Sequence, residues 1–264
     1  MAYIRISLIY RGDNMLDRAV YIPLKKTGII TLTLLLLVLG YIGMRTNVQP
    51  DSSVLAYGLG NKVIVVDAGH GGIDPGAVRG EKREKDVTLP ISKILAKHLS
   101  QAGAMVVMLR DSDRDLANSD FKGTVAQRKR QDLANRVKKA NDANADLYIS
   151  IHTNADLSPR WSGAQVFYNP GSEKSKRLAE IIQKELTTIL GNTKREAKTG
   201  SYYILSNTKM PTVIVEVGFI SNPGEAKLLY DPAYQSKVAY AIYSGIARSQ
   251  NEDVPLVDTK IPPP

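Results

Sequence analysis

Two histidines and two glutamates sit where apolar runs end, or just beyond them. Val63-Ile64-Val65-Val66-Asp67 leads into Ala68-Gly69-His70-Gly71-Gly72. Leu147-Tyr148-Ile149-Ser150-Ile151 ends at His152, and Thr212-Val213-Ile214-Val215 ends at Glu216. Glu84 lies in Glu81-Lys82-Arg83-Glu84-Lys85-Asp86, after the first run and before a helical pattern. In an open α/β sheet, ligands bind at the carboxyl ends of the strands. Two imidazoles and a carboxylate there make the ligand set of a catalytic zinc, and a spare carboxylate its general base. The chain has three histidines, so this grouping would use two of them.

Each residue also has a plainer explanation. The glycines round His70 permit a sharp turn with an incidental histidine, and Asp74-Pro75-Gly76 makes a further turn. The segment is not a phosphate loop, because it lacks both G-x-G-x-x-G and the lysine-bearing pattern. Glu84 alone belongs to a solvated charge run, in which Asp86 suits a helix start; only pairing with the histidines promotes it. His152 alone could be a hydrogen-bonded strand residue. Glu216, between Val215 and Val217, is costly to bury unless it is ion-paired with an arginine or functional. A desolvated carboxyl there would have a raised pKa, as general acid/base work near neutrality requires. His98 lies beside Leu95 and Leu99, away from any strand end, and reads as structural. Trp161, the one tryptophan, either stacks on a sugar face or packs.

Strands alternate with helices around these residues. Strand 63–67 precedes a helix over 88–102, with Pro90 in its first turn, Ile91, Ile94, Leu95 and Leu99 on one face, and Gly103 as its stop. Strand 105–109 and a polar loop 111–123 follow. A helix over 125–141 turns Leu133, Val137 and Ala140 inward and a basic face outward. Then come strands 147–151 and 165–168, a helix over 174–190 closed by Gly191, and strand 212–216. Asn222-Pro223 starts a short helix, and Asp231-Pro232 starts the last, to about residue 247. The expected fold is α/β, a mostly parallel sheet flanked by helices on both faces, in a single catalytic domain.

The 264 residues carry no cysteine, which removes disulfides, cysteine zinc sites and thiol nucleophiles. Residues 27–44 are free of charge over 18 positions, close to a bilayer span, with Lys25 and Lys26 before them. The expectation is a transmembrane anchor with its basic end in the cytoplasm and the remainder outside. No small-x-small cleavage site follows closely, which argues against a removed signal peptide. The chain then divides into a cytoplasmic segment 1–26, anchor 27–44, linker 45–61, catalytic domain 62–249 and flexible tail 250–264. Net charge is +9, of which +6 lies beyond residue 26. That balance suits an anionic wall polymer as well as an ordinary solvated surface. No nucleic-acid recognition motif accompanies it.

Taken in order, these segments resemble the zinc-dependent N-acetylmuramoyl-L-alanine amidases with the type 3 catalytic domain. The matching motifs are Val65-Val66-Asp67-Ala68-Gly69-His70-Gly71-Gly72 with Asp74-Pro75-Gly76, then Glu84-Lys85-Asp86-Val87 and Arg136-Val137 through Ala140-Asn141. They continue with 145–154, Asn207-Thr208-Lys209-Met210-Pro211 and 215–222. The resemblance covers about 62–247; Ala68 stands where many members carry proline. It implies that His70, Glu84 and His152 hold one zinc ion, that Glu216 is the catalytic glutamate, and that peptidoglycan is the substrate. The stretch 127–137 looks like the germination-specific members of endospore formers. This implies action on spore cortex, ahead of muramic lactam formation, with a vegetative wall role in turnover or cell separation as the alternative. A zinc peptidase or deacetylase on the same scaffold, or a wall-binding module without catalysis, are rivals from other classes. A protein activator is left open.

Overall fold

The computed structural model describes residues 2–7, 19–24, 59–250 and six positions between 28 and 38. It divides into two units, 1–52 and 53–264. In the first, β1 (Ala2–Ser7) and β2 (Ala19–Leu24) pair antiparallel. Gly28, Ile30, Leu34, Leu35, Leu37 and Val38 are helical. No helix among the described residues is long and apolar enough to cross a membrane. Most of the expected anchor 27–44, the linker 45–58 and the tail from 251 lie outside the described residues.

The second unit is built on a six-stranded sheet. Its strands are β3 (Val63–Ala68), β6 (Met105–Met108), β7 (Leu147–Asn154), β8 (Gln165–Tyr168), β9 (Lys198–Thr199) and β10 (Thr212–Phe219). They lie in the order β6-β3-β7-β10-β8-β9. β6, β3, β7 and β10 are mutually parallel; β8 is antiparallel to β10 and parallel to β9. The expected mostly parallel α/β sheet is therefore present.

Side chains alternate across it with the period of two that a strand imposes. Ile64, Val66, Ile149, Ile151, Val213 and Val215 join the larger core, under α1 (Glu84–Gln101), α3 (Glu173–Leu190) and α6 (Pro232–Gln250). Val65 and Tyr148 face the smaller core with Val137 and Ala140 of α2 (Val125–Asp142) and Ile204 of α4 (Tyr203–Asn207). A short α5 (Pro223–Leu229) is capped by the Asn222 side chain as expected. Where α3 meets α6, a Cβ on Gly245 would fall 2.6 Å from the Ile182 Cα, so glycine there sets how closely the two helices approach.

From β3 the chain runs through α1 to β6 on one side, then returns through α2 to β7 on the other. The strand order thus reverses between β3 and β7, the position at which open α/β sheets bind ligands. Three expectations change. The helix expected over 88–102 begins at Glu84, because a small hairpin, β4 (Val78–Arg79) with β5 (Lys82–Arg83), delivers the chain directly into it. Pro90 therefore lies inside α1, where it removes a helical hydrogen bond, and not in its first turn. Strands β7 and β10 run three residues past their expected ends, so His152 and Glu216 lie within strands, directly opposite one another. Gly103 and Gly191 end their helices with positive φ, as expected.

Candidate active site

His70 follows the last residue of β3 by two positions and adopts φ +61°, an uncommon backbone for a residue with a Cβ. Four buried donors hold it there. Arg110 Nε donates to the Ala68 carbonyl (2.8 Å), and Arg110 Nη2 and Thr88 Oγ1 donate to that of Gly69 (2.9 Å each). Arg136 Nη2 donates to the His70 carbonyl (2.7 Å). Beneath them, Asp67 accepts from Arg136 Nη1, Tyr148 Oη (2.9 Å) and Ser150 Oγ (2.8 Å). Arg136 is held in turn by Asp132 one helical turn earlier (2.9 Å). Burial alone would raise the Asp67 carboxyl, but the Arg136 charge leads the interactions that outweigh it, and the group stays below the ordinary range.

Glu84 is the first residue of α1. Its amide donates to the Ala77 carbonyl (2.9 Å), while the Ala77 and Thr153 amides donate to its Oε2 and Oε1 (2.8 and 2.9 Å). The same oxygens face His70 Nε2 (3.1 Å) and His152 Nδ1 (2.9 Å). One ligand atom from each of His70, Glu84 and His152 falls within 4.8 Å of the others. Asp74 Oδ2 engages His70 Nδ1 at 2.8 Å, and Lys129 from α2 holds the other Asp74 oxygen at 2.7 Å. That bond sets the ring so that Nε2 faces the cluster. Two glycines keep the space open. A Cβ on Gly69 would lie 2.4 Å from the His152 ring, and one on Gly76 2.5 Å from Glu84 Oε2. Glu216, opposite His152, is buried, and its Oε2 has no hydrogen-bond partner.

The family of N-acetylmuramoyl-L-alanine amidases with the type 3 domain matches residues 64–248. The chain belongs to this family. It is 49% identical over 191 residues to the germination-specific N-acetylmuramoyl-L-alanine amidase of Bacillus subtilis, covering 72% of this chain and 80% of that one. Among solved structures, the CwlD amidase from Clostridioides difficile, in complex with the GerS lipoprotein, superposes with a TM-score of 0.70 at 39% identity. That match covers 72% of this chain and 98% of the other. The catalytic domain of the amidase CwlV from Bacillus (Paenibacillus) polymyxa gives 0.61 at 32% identity, covering 71% and 97%.

The amidase thus gathers all four residues singled out in its sequence. The donor set suits zinc: two imidazoles and one carboxylate, with a second carboxylate close by and unbonded. The arginine ion pair considered for Glu216 is not formed among the described residues. His98 stacks on Tyr243 (ring centroids 5.6 Å apart), away from the cluster. Sequence reasoning gives no part in the site to Asp67, Arg110 or Arg136, and reads Asp74 only as a turn residue. Signals existed for two of them: a carboxylate ending an aliphatic run at Asp67, and a charged residue on the inward face of α2, between Leu133 and Val137, at Arg136.

The two glutamates are held in opposite states. Burial would raise Glu84, yet its bonds to His152 and His70 outweigh it and hold the carboxyl well below the ordinary range. Burial likewise disfavours the His70 imidazolium, but Asp74 and Glu84 raise that group to about 9. A metal entering the cluster must displace this proton, so its binding releases protons. For Glu216 burial dominates: the neighbouring His152 and His70 imidazoles offset it only in part, the Glu84 charge adds to it, and the carboxyl rises from 4.5 to about 7. A carboxyl raised in the fold binds its proton more tightly folded than unfolded. Its contribution to stability is therefore largest below pH 4.5, declines as pH climbs to about 7, and is then level. The span corresponds to roughly 3 kcal/mol. Urea unfolding of chelator-stripped wild type and Glu216→Gln should diverge by that order between these limits, with the glutamine variant more stable at pH 8. Parallel profiles would show that Glu216 does not carry this shift.

Proposed function

We propose that the chain uses one zinc ion, held by His70, Glu84 and His152, to hydrolyse the amide between N-acetylmuramic acid and L-alanine in peptidoglycan. The observation that carries the reading is the unbonded, buried Glu216 carboxylate beside that cluster, in a chain of this family. Zinc would supply Lewis acidity there, polarising the amide carbonyl and lowering the pKa of a water to about 7. Glu216 Oε2 takes the proton of the attacking water and later returns one to the departing alanine nitrogen. Burial raises this carboxyl in the metal-free fold, the direction that general acid/base work near neutrality calls for. Asp74 keeps the His70 ring in one orientation, and the β4–β5 hairpin keeps Glu84 aimed at both histidines.

Glu216→Gln keeps the shape and removes the proton acceptor. Turnover on purified peptidoglycan should fall by about 10²–10⁴ while zinc still binds. Zinc stoichiometry by atomic absorption and stem-peptide release by mass spectrometry check both halves; near wild-type release would refute the role.

The cell compartment follows from the amino-terminal segment. Residues 1–26 remain cytoplasmic, 27–44 anchor the chain in the membrane, and the catalytic domain works outside, on the wall or the forespore intermembrane side. In support, Ile30, Leu34, Leu35, Leu37 and Val38 are helical and each more than half exposed. Full-length protein should sediment with membranes and resist extraction by salt; recovery in the soluble cytosolic fraction would exclude an anchor.

The substrate in the cell is spore cortex. Stem-peptide removal frees the lactyl carboxyl that lactam closure consumes, and the relative at 49% identity is named germination-specific. The relative bound to a lipoprotein supports a protein partner for this chain as well. Spores of a deletion strain should lack muramic lactam and germinate poorly. Normal lactam content in their cortex would leave a general wall amidase.

A further inference from the structure

Beyond Glu216, the carboxyl edge of the sheet continues onto β8. Gln165, its first residue, is the register partner of Glu216 and so projects from the same face. The Gln165 amide nitrogen donates to the Glu196 carbonyl (2.9 Å), and its Oε1 accepts from Arg195 Nη1 (3.1 Å). Arg195 Nε donates to the Ser162 carbonyl (2.7 Å). The guanidinium lies over two aromatic rings, 4.7 Å from the centroid of Phe219 and 5.6 Å from that of Trp161. Phe219 is buried, whereas Trp161 is 54% exposed. The guanidinium is therefore held in one place by two hydrogen bonds and two ring faces.

Its charge is left without a direct partner. Nη2 donates to nothing among the described residues, and no carboxylate forms an ion pair with Arg195. The acidic group that feels it, Glu225, has both oxygens engaged by backbone, from Gly163 (2.9 Å) and Phe219 (2.8 Å). A planar, preoriented guanidinium with a free edge is the group that best matches a carboxylate. It stands beyond Gln165, whose strand lies about 5 Å from that of the general base, a gap that a few residues of extended chain span.

We infer that Arg195, steadied by Trp161, Phe219 and Gln165, is a specificity-determining residue that binds a carboxylate of the stem peptide, two or three residues beyond the scissile amide. The inference rests on the amidase reading above and adds the direction in which substrate lies. Of the two parts joined by the scissile bond, the stem peptide carries free carboxylates and the N-acetylated glycan does not. Charge complementarity therefore places the peptide over β8 and sends the glycan the other way along the edge, past His152 and His70. Trp161, which could have stacked on a sugar, instead backs the arginine.

The test uses full-length, zinc-loaded protein and two synthetic glycan fragments, one with free stem-peptide carboxylates and one with the same groups as carboxamides. Wild type should cleave the free-acid substrate with a kcat/KM about tenfold higher, the effect of one charge-assisted contact at a partly buried site. In Arg195→Gln the ratio should fall to about one. Arg195→Lys, which keeps the charge without the planar fork, should retain a few-fold preference. A purely structural arginine would slow both substrates alike and leave the ratio at its wild-type value, which overturns the inference. So does a wild type with no preference. If wild type releases stem peptide from neither fragment nor from whole peptidoglycan, the amidase reading fails, and the subsite with it.

Discussion

The site depends on the buried ion pair between Arg136 and Asp67. Asp67 and Arg136 are almost wholly enclosed, and taking both out of water is costly. The cost is offset because every polar edge of the pair is used. Asp67 is bonded by Arg136, Tyr148 and Ser150, and Arg136 by Asp67, Asp132 and the carbonyls of Ala68 and His70. The pair therefore joins β3, β7 and α2 through one set of bonds. It also grips the backbone of the loop that carries His70. A residue with φ of +61° persists only where its surroundings insist on it, and these carbonyl contacts are what insist.

Above that pair, two carboxylates a short distance apart are given opposite chemistry by their surroundings. Glu84 sits at a helix start, accepts two backbone amides and faces two imidazoles, so its charged form is favoured throughout. Glu216 is also buried but accepts no backbone amide and is hydrogen-bonded to neither imidazole, so burial outweighs the pull of His152 and His70 and its proton is held to near neutrality. Separating the environments of paired titratable groups is how a site obtains a fixed charge and a mobile proton together. The difference comes from backbone: the hairpin before α1 reaches Glu84, and nothing comparable reaches Glu216.

The cleft has different walls on its two sides. Towards β3, Asp74 and Lys129 brace His70 from behind and neutralise one another. Towards β8, Arg195 is braced just as firmly by Trp161, Phe219 and Gln165 but has no anion of its own. The overall positive charge of the chain does not reveal this. Many of the basic residues lie on solvated helix faces, and the asymmetry arises from which arginine the aromatic rings immobilise.

Much of this was legible in the residues alone. The alternation of aliphatic runs with amphipathic stretches specified a mostly parallel sheet between helices, because strand and helix periodicities leave separate marks. Charged or imidazole side chains ending aliphatic runs marked His152 and Glu216, because burial of such groups without a use is expensive. Glu84 stood in an ordinary charge run and was promoted only by its company. Other features depended on contacts distant in sequence. The early start of α1 was hidden because Pro90 normally marks a first turn, and a two-strand hairpin overrode that preference. The lengths of β7 and β10 were hidden because strand ends depend on neighbouring hydrogen bonds. Arg110 and Arg195 carry no distinguishing mark in the sequence, and Arg136 only its inward position on a helix. Only the folded chain decides that two of them clamp carbonyls under the His70 loop while the third lies between two rings with no carboxylate paired to it among the described residues.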